Sequence, residues 1–147
     1  MATLLAYTGG RTLFSGDGRT TPRTAALLDI DGVMDFTTPL ALQYENKAGA
    51  QSAAGRWLGG RSETAPDRWH EASGALYVDA QSPATLIISG ADPRFTAGME
   101  HVLPALDRYG IRNRHVHFAG LPHTFWLFEP YAGQVVAAID QFLMAKE

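Results

Sequence analysis

The sequence predicts an α/β domain built on about three parallel strands, and three observations carry that prediction. Ala25 to Ile30 and Pro83 to Gly90 are mainly apolar runs, as expected of strands covered on both faces. Asn113 to Phe118 is a third run that alternates, placing Arg114, Val116 and Phe118 on one face and His115 and His117 on the other. Helical periodicity follows the second and third runs, so the order is strand, long excursion, strand, helix, strand, helix. That is the order of parallel strands joined by right-handed crossovers.

Each element has a local reason. Met1 to Thr8 reads as one or two helical turns stopped by Gly9-Gly10, with no residue to cap its start. Gly16, Gly18 and Pro22 make residues 11 to 24 a surface loop. The first strand ends at the turn signal Asp31-Gly32. Residues 33 to 78 are irregular, with a short helix expected near Ser52 to Leu58, and form an excursion from the sheet. Trp57 and Trp69 lie in it and are available to a ligand, although each taken singly fits better as an anchor that ties a long loop to the core. Met99, Val102, Leu103, Leu106 and Tyr109 fall at helical spacing, which predicts an amphipathic helix from about Thr96 to Tyr109, closed by Gly110. Pro104 inside it predicts a kink or a later helix start. Tyr131, Val135, Ala138, Ile139, Phe142 and Leu143 stripe a final helix that docks on the sheet.

Composition narrows the function. The chain has 147 residues, enough for a single core, so one domain is expected over its whole length. With 46% apolar residues and 18% charged, it has the balance of a globular protein. A net charge of -3 without clustered Lys or Arg argues against nucleic acid and anionic membranes as partners. There is no cysteine for a disulfide or thiolate metal site, and no run has the length of a membrane span. His115 and His117 lack an evident third ligand, so no metal and no cofactor are expected. Without a leader-like start, the default compartment is the cytoplasm.

Ligands of open α/β sheets bind beyond the carboxyl ends of the strands. Asp31 and Asp35 follow the first strand, Asp92 the second and His123 the third. Gly120 and Pro122 set the backbone approach to His123, whose imidazole suits proton transfer near neutral pH. A carboxylate two residues past one strand and a histidine five residues past its neighbour have the types of an acid that orients an imidazole base. Asp92 before Pro93 is also an ordinary turn starter.

The order of Leu28-Asp29-Ile30-Asp31-Gly32-Val33-Met34-Asp35-Phe36, Trp57-Leu58-Gly59-Gly60, Trp69-His70-Glu71-Ala72-Ser73, Thr85 to Phe95 and Pro122-His123-Thr124-Phe125-Trp126 resembles the C-terminal half of an α/β-hydrolase. The similarity is to bacterial esterases and lipases, including carbohydrate-active acetyl and feruloyl esterases, and it covers nearly the whole chain. It implies a three-layer sandwich in which the three strands are the last three of eight and Met1 to Thr8 continues the helix after the nucleophile. It also implies ester hydrolysis through an acyl-enzyme, with His123 as base and Asp92 as acid, Glu100 being the alternative acid. Asp35, Trp57, Trp69 and Trp126 are the expected substrate contacts, within a cap-like excursion over residues 33 to 78 and beside His123. A small-molecule or carbohydrate ester is the implied substrate, and relatives of this type are often exported. A prolyl oligopeptidase-type peptidase shares the same C-terminal layout.

One departure is large. Such an esterase needs a serine in a G-x-S-x-G turn, which exposes the hydroxyl and helps to form the oxyanion hole. Ser15, Ser52, Ser62, Ser73, Ser82 and Ser89 all lack that setting. The chain alone is therefore expected to show no significant turnover. The strand at 25 to 30 is expected to have an open edge, which favours homodimerisation or association with another partner.

Overall fold

A computed structural model describes residues 1–145 and has three parallel strands with helices on both faces. Strands β1 (Ala26–Ile30), β2 (Ala84–Ser89) and β3 (Asn113–His117) lie in that order, so β2 is central. Leu28 pairs with Leu86 and Asp29 with Ile87, while Ile87 pairs with His115 and Ser89 with His117. This register decides which side chains meet. Leu27 and Ile87 point to one layer with α1 (Ala2–Thr8) and α5 (Met99–Arg108), where Ala6, Tyr7, Val102 and Leu106 are buried. Leu86 and Ile88 point to the other, where Val135, Ala138 and Phe142 of α6 (Tyr131–Met144) cover them. Helix layer, sheet and helix layer make the expected three-layer sandwich.

Two buried polar groups tie α1 to the sheet. The Tyr7 hydroxyl lies 3.0 Å from Thr85 Oγ1, and burial pushes its pKa up to about 12. The Thr3 hydroxyl donates to Asp29 Oδ2 at 2.9 Å, while Asp29 Oδ1 accepts the Gly32 N–H. Burial outweighs these hydrogen bonds and holds the Asp29 carboxyl above the usual range.

The excursion contains more helix than its irregular pattern predicts. Besides α3 (Ala53–Leu58), it holds α2 (Pro39–Glu45) and α4 (Pro66–Glu71), each opening on a proline that needs no N–H partner. Thr38 and Ser52 cap α2 and α3 by accepting the N–H groups of Ala41 and Gly55. Ala54, Leu58, Trp69 and Ala72 form a small core of their own, with Phe36 and Leu42 packed on it.

Helix α5 begins later than its periodicity predicts, because Gly98 at φ +94° interrupts the chain before Met99. Pro104 is inside the helix, as the sequence requires of any helix spanning that stripe. On β3, both imidazoles turn to Ser89, whose Oγ lies 2.8 Å from His115 Nε2 and 3.0 Å from His117 Nδ1. Burial, with the neighbouring His117 charge, holds the His115 pKa below its usual value.

Candidate active site

The site forms where β1, β2 and the loop after β3 converge. Asp31 directly follows β1, and its N–H still bonds to Ile88 O at 2.8 Å, so the strand ladder fixes its position. Its φ is +51°, a left-handed conformation that Asp tolerates better than most residues. That conformation accompanies a fully buried side chain, with Oδ1 accepting the Gly90 N–H at 2.6 Å. The other oxygen, Oδ2, lies 3.1 Å from His123 Nδ1. A carboxylate can only accept, so this bond requires the proton on Nδ1.

Aromatic rings hold the imidazole. Phe95 stacks on it with centroids 3.9 Å apart, and Trp126 meets it edge-on at 4.9 Å. The loop reaches this point through Gly120 at φ +76°, and the Ala91 N–H donates to Leu121 O at 2.8 Å. His123 keeps 41% of its side-chain surface exposed, so the ring is gripped without being sealed off. Its Nε2 has no hydrogen-bond partner among the described residues.

Beside it runs a cleft of about 570 Å³, lined by Asp31, Phe36, Glu45, Trp57, Arg94 and Phe95 among others. Arg94 Nε donates to buried Glu45 Oε1 at 2.6 Å, and its guanidinium lies over Phe95 at 4.9 Å. Glu45, Arg94 and Phe95 thus form a chain of contacts that ends on the imidazole. The cleft combines an apolar wall with a few fixed polar groups, the usual make-up of a small-molecule site.

The expected site residues separate into those that meet and those that do not. Asp92 is not at His123: its Oδ1 accepts the Arg94 N–H at 3.0 Å and caps the 3-10 turn Pro93–Thr96. Glu100 is not there either, since its Oε2 accepts the Gly98 N–H at 3.0 Å, capping the start of α5. In both cases a nearby backbone donor takes the carboxylate. Asp35 is buried, bonds to Thr37 and to His101 Nδ1 at 3.1 Å, and is not among the residues lining the cleft. Burial alone would raise its carboxyl, but those hydrogen bonds prevail and hold it low. Trp69 is 1% exposed and donates its indole N–H to Gly60 O, so it anchors the excursion instead of facing the cleft. Trp57 does line the cleft, edge-on to Phe36 at 5.7 Å, and Trp126 packs against the imidazole. Arg94 and Phe95 belong to the stretch that carries the family resemblance, but nothing in the sequence gives either a role at the site beyond their place just after Asp92-Pro93.

A three-layer α/β sheet with a histidine on a carboxylate, both beyond the strand ends, is the arrangement of an α/β-hydrolase. Residues 1–97 match the BD-FAE family, and the chain belongs to it. His123 lies beyond the matched residues. Among solved structures, a bifunctional GH43-CE from Bacteroides eggerthii superposes with a TM-score of 0.66 at 19% identity, covering 96% of this chain and 21% of that one. Esterase B from Lactobacillus rhamnosis gives 0.63 at 13% identity, over 96% of this chain and 48% of that one. Carboxyl esterase 2 from Tuber melanosporum gives 0.57 at 18% identity, over 83% and 44%. The present chain thus spans less than half the length of each. A search of curated proteins finds no match.

Proposed function

We propose that this chain carries the general-base side of a serine ester hydrolase acting on a carbohydrate ester, with His123 as the base. The observation that carries the reading is the His123 imidazole, held by Asp31 and Phe95, two residues that line the cleft. The resemblance to acetyl and feruloyl esterases and the likeness to the GH43-CE chain support a carbohydrate ester as substrate. In such a reaction the imidazole takes the proton of a seryl hydroxyl as it attacks the ester carbonyl. It then returns the proton to the leaving alcohol, and the acyl-enzyme is hydrolysed by the reverse sequence. Since no serine here has the G-x-S-x-G setting, the nucleophile and its oxyanion donor come from outside these 147 residues.

The chain alone is therefore expected to leave p-nitrophenyl acetate unhydrolysed. Joined to a G-x-S-x-G half of the same family, it gains turnover, of which His123→Ala removes on the order of 10^6-fold. Turnover by the chain alone that His123→Ala abolishes overturns the outside nucleophile. No turnover in the joined form overturns the esterase reading.

A second reading rests on β1, which pairs with β2 and with no other strand among the described residues. Its free edge offers backbone donors and acceptors to a second copy or a separate partner. Light scattering behind size exclusion reads this directly, and a stable monomer counts against self-association.

A further inference from the structure

We propose that Asp31, at the end of β1, is the carboxylate that positions His123, and that Asp92, at the end of β2, is a turn-capping residue. The inference rests on the reading of His123 as a base, but concerns which acid sets that base. Three independent constraints converge on Asp31. It is the carboxylate within hydrogen-bond reach of His123 Nδ1, at 3.1 Å. Its second oxygen is held by the Gly90 N–H at 2.6 Å, and its own N–H continues the ladder to Ile88 O, so both ends of the residue are fixed to β2. Its side chain has no exposed surface, so water does not compete for the carboxylate.

Asp92 has none of these properties. Its carboxylate accepts the Arg94 N–H, the local bond expected of an Asp that precedes a 3-10 turn with proline at its first position. That turn has a different use. By fixing Pro93–Thr96, it presents Phe95 as the plate on which the imidazole stacks at an interplanar angle of 15°. In this division of labour, β1 supplies the charge that selects the Nδ1–H tautomer. The loop after β2 supplies the apolar surface that sets the plane of the ring. Adjacent strand ends can exchange these tasks because the sheet brings both within reach of one loop.

Imidazole nitrogen spectra of the intact chain test this. His123→Gln assigns the His123 signals among the 5 histidines. In the neutral ring, wild type is expected to carry the His123 proton on Nδ1. Asp31→Asn keeps the shape and can keep the Gly90 bond through its carbonyl oxygen, but aims an amide donor at Nδ1. It is expected to reverse the tautomer completely, to Nε2–H, an effect that loosened packing alone does not produce. Asp92→Asn and Glu100→Gln are expected to retain the wild-type pattern. A tautomer change in Asp92→Asn, or none in folded Asp31→Asn, overturns the proposal. Should Asp31→Asn fail to fold, Asp92→Asn decides alone: an unchanged pattern supports Asp31 and a changed one refutes it. None of these signals depends on ester hydrolysis, so failure of the esterase reading is told apart by the turnover assay.

Discussion

Trp69→Ala is expected to destabilise the chain by about 3–5 kcal/mol, the range for removing a fully buried large aromatic. The indole is 1% exposed, meets Phe36 edge-on at 6.3 Å, and donates its N–H to Gly60 O at 3.1 Å. The substitution therefore removes packing and leaves a backbone carbonyl without its partner. Damage is expected to be regional first. The cluster of Ala54, Leu58, Trp69 and Ala72 is separate from the sheet cores, so amide exchange rises across α3 and α4 before it rises in β2. Trp69→Phe keeps much of the area and is expected to lose less. Denaturant midpoints with residue-resolved exchange check both, and an unchanged midpoint in Trp69→Ala would refute the anchoring role.

Gly90→Ala is expected to cost about 1–3 kcal/mol through overpacking, and to part His123 from Asp31. A methyl group at Gly90 would stand 2.7 Å from Leu121 O, and 3.3 Å from both Asp31 Oδ2 and Phe125 Cδ1. The carbonyl is backbone and cannot rotate away alone, so the segment that carries His123 must move. Thermal melts read the cost, and the His123 imidazole signals read the displacement. Wild-type imidazole signals in this variant would show that the loop absorbs the methyl without releasing the ring.

The layered architecture was legible because its signals are local. Ala84 to Ser89 holds the apolar run Leu86-Ile87-Ile88 and is the central strand, while Val135, Ala138 and Phe142 repeat at the helical period and are the buried stripe of α6. Helices α2 and α4 were harder to read, since seven and six residues give too few turns for a period to emerge. Their signals were Thr38-Pro39 and Ala65-Pro66. At the site, His123 was legible from its type and from Gly120 and Pro122 before it. The partnership with Asp31 was not, because it depends on a positive φ at Asp31 and on the Gly90 N–H, neither of which has a sequence signature. Asp92 carried the opposite difficulty. Its place before Pro93 signals a cap, and a cap is the role its side chain takes.

Asp29 gives the free margin of the sheet a protection that depends on acidity. It sits on β1 with its carboxyl buried, and an inward charge on an outermost strand discourages a foreign strand from stacking there. Because the Asp29 pKa is raised, this charge is lost at a higher pH than an ordinary carboxylate would allow. The folding linkage runs the other way: Asp29's favourable contribution is complete below its unfolded pKa and declines as pH rises through the folded one. Turbidity at fixed concentration is expected to rise as the pH falls through this raised pKa, and Asp29→Asn to show the low-pH level at every pH. If the variant stays as clear as wild type, the charge is no guard. Acid thus relieves the strain of a buried charge inside this protein and removes a barrier to aggregation at its margin.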